Sequence, residues 1–304
     1  MEPRRPVWFV TGASGFVGRR FTETAAARPA GPTLRLLVHR TKVIPPPGRV
    51  ELVPGSLDAE AGLIAAARGA DAVVHFAATT HAEHEEEYHR VNGGGTERLV
   101  RAAATAGVGR FIHVSSRAIG PDCGAYARSK RHAEEAVRAG GVPYTILRFA
   151  EVYGPDAREG LNALIRLVRV SPVVPYPAGS FTLAPLFLDD AVDAVSRALD
   201  ATEGPNRVYT VAGPRSYGFR DLVRVIARTF GLRRLAVPVP LAGLAAAVRA
   251  ARLLGRPIGH ADQIARLRCP KDADIASIRR DLGFAPMGFA EGLLDMRMRS
   301  GPGV

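Results

Sequence analysis

A glycine-rich turn near the amino terminus constrains the fold of this chain more than any other feature. Gly12, Gly15 and Gly18 follow a short β-branched and aromatic stretch, Val7–Thr11, and open a helix-like segment, Phe16–Ala27. In this order the first glycine permits a tight turn, the second lets a pyrophosphate approach the backbone, and the third lets helix and strand pack closely. A glycine triplet alone is a weak signal, but here strand, turn and helix occur in the required order. Phosphates would sit on free N–H groups at the helix N-terminus. We therefore predict a dinucleotide site that includes Gly12, Ser14, Gly15, Phe16, Val17 and Gly18.

Strand-like and helix-like stretches alternate through the first half of the chain. Short apolar runs such as Ala72–Phe76 and Tyr144–Phe149 are separated by helical patterns such as Glu60–Arg68 and Thr96–Ala106. This alternation indicates βαβ units and a parallel sheet, and near-continuous apolar runs fit strands that are covered on both faces. We predict an α/β fold: a Rossmann, doubly wound parallel sheet with a smaller, mainly helical C-terminal substrate lobe.

The regular alternation weakens after Gly154-Pro155. Leu161–Val170, Ala191–Ala201 and Phe219–Phe230 read as helices, while Ser171–Leu183 is rich in proline and turn residues. We predict that residues 1–155 form the dinucleotide-binding domain and that residues 184–212 return to it. Residues 156–183 and 213–304 would then form the substrate lobe.

The chain is strongly basic, with a formal net charge of +12 over 304 residues. All but three of its 41 basic residues are arginines, and they recur at helical spacing, as at Arg220, Arg224 and Arg228. This spacing indicates solvated helix faces, and an anionic small substrate or a cofactor phosphate is the second explanation. Because no recognition motif accompanies the charge, we predict no nucleic-acid partner.

No segment has the character of a membrane span or a secretory signal. The longest apolar candidate, Leu235–Val248, is shorter than the roughly 20 residues that a span needs, and Pro238 and Pro240 break it. The first residues lead directly into a strand without a long apolar core. Cys123 and Cys269 are far apart in sequence and lack zinc-type spacing. We therefore expect a reduced, cytoplasmic chain without a disulfide framework and without a membrane partner.

The residues after the second predicted strand, Leu34–Val38, bear on the choice between NAD and NADP. An acidic residue at this point binds the ribose 2′-hydroxyl of NAD, whereas an arginine accommodates the 2′-phosphate of NADP. This chain has His39, Arg40 and Lys42 there and no acid. Arg40 could pair with the phosphate, helped by His39 or Lys42; the other interpretation is an ordinary basic loop. We predict NADP or NAD as cofactor, with NADP favoured.

Tyr126 and Lys130 stand four residues apart at the start of a predicted helix, Ala127–Ala139, and so share one face. A free phenol has a pKa of about 10. A neighbouring ammonium group stabilises the phenolate and lowers that pKa, which gives an acid and base usable near neutrality. The pair is common on helices, but it is a strong signal about a hundred residues after the glycine turn.

With these motifs the chain resembles the extended short-chain dehydrogenase/reductase family, of the NAD(P)-dependent epimerase/dehydratase type, over almost its whole length. The resemblance implies that Tyr126 is the acid and base, that Lys130 anchors the ribose and tunes the phenol, and that Ser115 and Ser116 hold the substrate carbonyl. Further matching segments are Gly55–Asp58, Ala72–Ala78, Val91-Asn92, Gly95-Thr96, Phe111–Ser116, Leu147-Arg148, Val152–Pro155 and Pro185–Asp190. The cofactor contacts that it implies, besides the turn, are His39, Arg40, Ser56, Leu57, Ala77, Ala78, Tyr126, Lys130, Phe149 and Val152.

The chain departs from the family pattern at four points. Arg117 occupies the place, one beyond the serine pair, where the catalytic Ser or Thr often stands, so Ser116 or Ser115 serves instead or the carbonyl is held differently. Arg117 itself is then a candidate substrate contact. Only nine residues separate Ser116 from Tyr126, which predicts a more open pocket. Ser56 replaces an adenine-contacting aspartate. Glu151 replaces an asparagine and would bind substrate or move a proton, although a salt-bridged loop glutamate is an equal alternative.

Two further regions are candidates for substrate contacts. The loop after the fourth strand borders the substrate in this fold, so Thr80 and His81 are candidates, with a solvated loop as the alternative. The histidines of this loop do not match the H-E-x-x-H pattern, so we predict no metal. On the helix Leu161–Val170, Asn162 and Arg166 share a face and could meet a diphosphate. However, an arginine that many nucleotide-sugar enzymes carry just before residues 185–190 is missing.

We expect an NAD(P)-dependent oxidoreductase or epimerase that transfers hydride to or from a carbonyl or carbinol carbon of a sugar-like, nucleotide-linked substrate. One alternative is a ketoreductase acting on a polyketide-like or steroid-like molecule, which the short loop and the missing arginine favour. Another is a catalytically impaired cofactor-binding or redox-sensing protein, which Arg117 supports and the retained tyrosine–lysine pair opposes. Relatives commonly dimerise through the helices Thr96–Ala106 and Ala127–Ala139, so we predict a homodimer.

Overall fold

The computed structural model describes residues 4–120, 123–157, 160–201, 206–246, 261–269 and 271–299. Its centre is a seven-stranded, all-parallel sheet in the order β3-β2-β1-β4-β5-β6-β11. The strands are β1 (Val7–Thr11), β2 (Thr33–Val38), β3 (Val50–Pro54), β4 (Ala72–His75), β5 (Arg110–Ser116), β6 (Tyr144–Phe149) and β11 (Arg207–Val211). The direction of winding reverses between β1 and β4, and ligands bind in the crevice outside the carboxyl ends at such a point.

Helices cover both faces of this sheet. Trp8 of β1 belongs to one buried cluster and stacks on Phe21, with ring centroids 6.0 Å apart. Phe9 points to the opposite face, into a cluster that contains Leu99 and Val137. The described helices include α1 (Phe16–Ala26), α2 (Glu60–Ala67), α3 (Glu85–Tyr88), α4 (Gly95–Thr105), α5 (Gly124–Ala139), α6 (Leu161–Val170), α7 (Leu188–Asp200), α8 (Phe219–Thr229), α9 (Ala261–Arg268), α10 (Ala276–Leu282) and α11 (Phe289–Arg299), with a π-helical turn, His89–Gly94, before α4. The predicted Rossmann α/β fold is confirmed.

A third buried cluster joins α6, α8 and α11. Ile165, Ile226 and Phe289 lie in it, together with Tyr153, whose ring meets Phe289 edge-on at 5.1 Å. Three short strand pairs accompany these helices: β7 (Val152–Tyr153) with β10 (Leu186–Phe187), β9 (Thr182–Leu183) with β12 (Tyr217–Gly218), and β8 (Val173–Pro177) with β13 (Leu235–Val239). The predicted boundaries between domain and lobe stay a prediction, although β11, from the returning segment, does join the sheet beside β6.

The proline-rich segment 171–183 contains two short strands, β8 and β9, because prolines are tolerated in short two-stranded pairs with free edges. One expectation for this region is wrong. The segment Pro185–Asp190, which resembles a strand of the family, is extended only at Leu186-Phe187; Leu188 already begins α7. Asp189 and Asp190 lie in the first turn of α7, where negative charge favours the helix dipole.

The expectation of reduced cysteines is also wrong, because Cys123 and Cys269 form a disulfide. Cys123 is the N-cap residue of α5, and Cys269 directly follows α9. The two cysteines are 146 positions apart in sequence, but their Cα atoms lie 5.1 Å apart. The bond therefore ties the C-terminal part of the chain to the start of the helix that carries Tyr126 and Lys130.

Among the described residues, no helix combines the length and the apolar character that crossing a bilayer requires. The cytoplasmic location stays a prediction.

Candidate active site

The loops that leave the carboxyl edge of the sheet bring the predicted cofactor contacts together. The glycine turn follows β1, His39 and Arg40 follow β2, and Ser56 and Leu57 follow β3. Ala77 and Ala78 come after β4, Phe149 ends β6, and Val152 begins β7. Because all seven sheet strands are parallel, these segments lie along one edge.

The glycine turn has the shape that a pyrophosphate needs. Gly12 has a φ of +76°, and a Cβ on it would lie 2.5 Å from the backbone nitrogen of Ala77. A Cβ on Gly18 would collide with the carbonyl oxygen of Gly12. Ser14 and Gly15 are exposed, and no side chain caps the N-terminus of α1. The first N–H groups of α1 are therefore available to an anion, and this loop fits a dinucleotide.

Tyr126 and Lys130 lie on α5 against the end of β5. The ammonium group of Lys130 donates to the carbonyl oxygen of Val114 at 2.7 Å, and its side chain is buried. Burial lowers the pKa of Lys130 to about 8, and the nearby carboxylate of Glu134 opposes that shift. The ring of Tyr126 is 8% exposed. A helix therefore holds a phenol and a desolvated cation one turn apart, which is the arrangement of an acid–base pair.

The two serines that end β5 differ in their partners. Ser115 donates to Glu134 at 2.7 Å, and Glu134 also accepts two hydrogen bonds from Arg148, at 2.9 and 2.7 Å. The hydroxyl oxygen of Ser116 accepts the N–H of Ala118 at 3.1 Å. Ser115 is therefore committed to a buried charge network, whereas the hydroxyl proton of Ser116 can reach a substrate oxygen.

The loop after β4 is fixed to α5 through Asn92. The side-chain oxygen of Asn92 accepts the N–H of Thr79 at 2.8 Å, and its amide nitrogen donates to the Thr79 carbonyl and to the Ser129 hydroxyl, both at 3.0 Å. Thr80 and His81 follow, with the Thr80 hydroxyl 3.0 Å from Nδ1 of His81. The loop is thus held beside the tyrosine helix, where its side chains can border a substrate.

Arg266 of α9 covers this region from the C-terminal part of the chain. Its guanidinium carbon lies 4.0 Å from the ring centroid of Tyr126, a cation–π contact. One of its nitrogens donates to the carbonyl oxygen of Thr80 at 2.6 Å. Tyr88 meets the ring of Tyr126 edge-on at 5.9 Å. The phenol therefore lies among a second cation and a second aromatic ring besides Lys130.

Arg117, Glu151 and Lys271 form a charge cluster at the ends of β5 and β6. Arg117 donates to Glu151 at 2.6 Å, and Lys271 donates to its other carboxylate oxygen at 2.9 Å. Burial raises the pKa of Glu151, but the two cations outweigh this and hold it below the usual value. The contacts of Glu151 are therefore those of a salt-bridged glutamate, and its carboxylate is ionised at neutral pH.

The remaining candidate residues lie on α6 and directly after β2. On α6, Asn162 donates to the carbonyl oxygens of Gly154 and Ala157, at 2.5 and 3.1 Å, and Arg166 donates to Ala157 at 3.2 Å. The two side chains share a face as expected, but the amide of Asn162 is committed to the backbone. Arg40 is exposed after β2.

Two histidines of the central strands are buried, His75 at the end of β4 and His113 within β5. His75 hydrogen-bonds Thr11 and Thr96 through its two ring nitrogens, at 2.6 and 2.9 Å. Burial lowers the pKa of His75 to about 3, with Lys130 adding to the effect, and lowers that of His113 well below its usual value. Both rings are neutral at physiological pH. The part of the chain that the structure describes contains no group of three His, Cys, Asp or Glu residues able to hold a metal.

Sequence reasoning missed the residues that reach the site from the C-terminal part, namely Arg266, Lys271 and Cys269. None of them belongs to a motif, and only the spatial return of the chain brings them there. Glu134 was also missed, although its place four residues after Lys130 on α5 put it on the same helix face.

Comparisons with known proteins identify the family of this chain. The sequence profile of the NAD dependent epimerase/dehydratase family matches residues 8–212. A ceramide reductase from Caulobacter vibrioides is 38% identical over 190 residues, which cover 62% of this chain and 59% of that reductase. A UDP-glucose 4-epimerase from Vibrio cholerae is 25% identical over 306 residues, which cover 91% of this chain and 90% of the epimerase.

A solved structure also shares the fold. The dTDP-glucose 4,6-dehydratase of Streptomyces venezuelae, determined with NAD and TYD bound, matches with a TM-score of 0.76 and 23% identity over 98% of each chain. The family match and the shared fold confirm the resemblance that the sequence motifs indicate. The chain belongs to the NAD dependent epimerase/dehydratase family.

Proposed function

We propose that this protein is a nicotinamide-dependent carbonyl reductase that converts a ketone to a secondary alcohol. The observation that supports the proposal is that α5, which carries Tyr126 and Lys130, is hydrogen-bonded through Lys130 to Val114, near the end of β5 and two residues before Ser116. The similarity to a ceramide reductase supports reduction over epimerisation.

Each group of residues in the site would have a separate role in such a reduction. The turn from Gly12 to Gly18 would bind the pyrophosphate, and Lys130 would hold the ribose. When bound, the cofactor supplies the hydride that the substrate carbon accepts. Tyr126 then donates its proton to the carbonyl oxygen as negative charge develops there, and Ser116 donates a hydrogen bond to the same oxygen. The ammonium group of Lys130 stabilises the phenolate that remains.

Replacement of Tyr126 by phenylalanine tests this proposal directly. The variant keeps the ring and its packing but cannot donate a proton, so turnover of a ketone should fall by about 10²–10⁴-fold. NADH binding, measured by its fluorescence, should stay close to that of the wild type. Near-normal turnover in the variant would rule out the assigned role, and cofactor binding without turnover over a broad ketone panel would favour the catalytically impaired alternative.

A second candidate is an epimerase or dehydratase acting on a nucleotide-linked sugar. The similarity to a UDP-glucose 4-epimerase over most of the chain favours it. The commitment of the Asn162 amide to the backbone of Gly154 and Ala157 counts against it, because that amide is not free for a diphosphate. Epimerases retain their nicotinamide between turnovers. Cofactor absorbance in the purified protein, with interconversion of UDP-hexoses, would therefore favour this candidate over a reductase.

Within the proposed reductase, we assign a preference for NADP to Arg40 and His39. Both side chains are exposed directly after β2, and a guanidinium suits a 2′-phosphate. Replacement of Arg40 by alanine should raise the Kd for NADPH and leave that for NADH unchanged. Equal effects on both cofactors would contradict the preference.

The same proposal includes a homodimer built on α4 and α5. A shallow groove of about 380 Å³ runs between these helices, and it is lined by Glu97, Val100, Arg101, His132, Glu135, Ala136, Ala139 and Gly140. An aliphatic floor with charges of both signs at its rim suits a second copy of the same surface. Light scattering should give twice the chain mass, and a single-chain mass would contradict the dimer.

A further inference from the structure

Arg117 has hydrogen-bonding capacity that its protein neighbours do not use. Its side chain is only 2% exposed, and one terminal nitrogen, Nη2, donates to Glu151. Within the described parts of the chain, Nε and Nη1 of Arg117 are buried and find no acceptor. Buried polar groups in native proteins almost always have a partner, and each exception calls for an explanation such as a functional role or a bound water or ion.

Among the residues that the structure describes, the charges around Arg117 do not balance. Glu151 is the carboxylate of the cluster, and it is shared between Arg117 and Lys271, so the three side chains carry a net charge of +1. The candidate site also contains two further cations, Lys130 on α5 and Arg266 on α9. Glu134 lies on α5 as well, but Arg148 and Ser115 already engage it. A buried surplus of positive charge is stabilised by an anion.

The position of Arg117 places this surplus at the substrate end of the site. Arg117 directly follows Ser116, and its N–H donates to the carbonyl oxygen of Phe149 at 3.1 Å, across the carboxyl ends of β5 and β6. Ser116 is the residue assigned above to the substrate carbonyl. A group bound by the Arg117 guanidinium would therefore lie close to the carbonyl that is reduced.

We propose that Arg117 binds an anionic oxygen group of the substrate, a carboxylate or a phosphate ester, and that the ketone reduced by this protein carries such a group near its carbonyl. Glu151 orients the guanidinium through Nη2, and Lys271 adds a second cation. This inference rests on the proposed function, since it names the class of ketone that the same site accepts.

The test combines binding and turnover in the full-length protein. Binding of inorganic phosphate and of acetate is measured by calorimetry in the presence of NAD⁺, and turnover is compared for acetoacetate against methyl acetoacetate and for dihydroxyacetone phosphate against dihydroxyacetone. The variants are Arg117→Met, Glu151→Gln and Lys271→Met. Arg228→Met, at an exposed position on α8, is the matched control, and circular dichroism checks the folding of each variant.

The charge cluster predicts opposite effects for its members. Phosphate or acetate should bind about tenfold more weakly, or worse, to Arg117→Met, because a charge-assisted hydrogen bond is lost. Lys271→Met should also weaken binding, whereas Glu151→Gln should strengthen it, because the net charge of the cluster rises from +1 to +2. In turnover, the anionic ketone of at least one pair should have the higher kcat/KM, and Arg117→Met should abolish that preference while Arg228→Met keeps it. The pair that shows the preference distinguishes a carboxylate from a phosphate ester.

Weaker anion binding by Glu151→Gln, or unchanged binding by both Arg117→Met and Lys271→Met, would overturn the inference. Equal turnover of the anionic and neutral ketones in the wild type would overturn it as well, and would leave the proposed reductase intact. Binding of the anions through Arg117 without reduction of any ketone would instead contradict the proposed function and keep the anion site. If Arg117→Met does not fold, the opposite signs expected for Lys271→Met and Glu151→Gln still decide the question.

Discussion

Replacement of Gly12 by alanine probes the turn on which cofactor binding depends, and its cost follows from two features of the structure. Gly12 has a φ of +76°, and an added Cβ would lie 2.5 Å from the backbone nitrogen of Ala77. The left-handed backbone costs a residue with a Cβ about 1–2 kcal/mol. The collision with backbone that must move adds about 1–3 kcal/mol. The free energy of unfolding should therefore fall by about 2–5 kcal/mol in total.

Gly69 provides the matched control for this prediction. Its φ of +71° is nearly the same, but a Cβ there would meet no atom within 4 Å. Gly69→Ala should therefore lose only the backbone part, about 1–2 kcal/mol, and should bind NADH normally. Urea denaturation gives the two stabilities, and NADH fluorescence gives the two affinities. If Gly12→Ala and Gly69→Ala lose equal stability and bind NADH equally well, the close approach of the turn to the loop after β4 does not constrain the site.

Three further predictions concern charge, covalent linkage and the buried network. Turnover in the reducing direction should fall as pH rises through about 8. Burial lowers the pKa of Lys130 to about 8, so its ammonium group is lost above that pH. A kcat/KM profile that stays flat from neutral to alkaline pH would contradict this prediction. Reduction of the Cys123–Cys269 bond, which spans a sequence separation of 146, should lower the free energy of unfolding by about 2–4 kcal/mol. A double variant with serine at both positions should show no response to the reductant in the same denaturation assay. Glu134→Gln should lower the free energy of unfolding by about 1–3 kcal/mol, because an amide cannot accept all the hydrogen bonds that this buried carboxylate receives. Glu97 is half-exposed and provides the comparison. A loss of stability in Glu134→Gln no larger than that in Glu97→Gln would refute the prediction.

Local patterning predicted the sheet well because its strands are short, apolar and separated by glycine or proline. The predicted strand Tyr144–Phe149 and the predicted helix Leu161–Val170 have the same bounds in the structure. The start of α7 was placed at Ala191, three residues late, because Leu188 and the two aspartates after it read as the end of a strand. At that point the helix dipole and the apolar face of α7 outweigh the local strand pattern.

The strand pair β8–β13 could not be predicted from local signals. Pro175 and Pro177 in one strand and Pro238 in the other argue against strands. Their register aligns Val173 with Leu235, more than 60 residues away along the chain, so only tertiary pairing reveals it. Short-range patterns carry no information about such a contact.

In the candidate site, too, residues with a local sequence pattern could be predicted and residues brought by a distant segment could not. Tyr126 and Lys130 could be found because the acid–base role demands a fixed helical spacing. Arg266, Lys271 and Cys269 could not, because contacts brought by a returning segment leave no local pattern. The cysteines illustrate the error that follows, since a large separation in sequence gave the wrong expectation about their distance in space.

A crystal structure of the protein with NADP⁺ or NAD⁺ bound is the most direct test of the account. The pyrophosphate should lie on the N–H groups of the turn from Gly12 to Gly18. The reactive carbon of the nicotinamide should face a substrate space bordered by the Tyr126 hydroxyl and the Ser116 hydroxyl. A cofactor bound elsewhere, or a nicotinamide ring directed away from Tyr126, would contradict the assignment of this edge of the sheet as the active site.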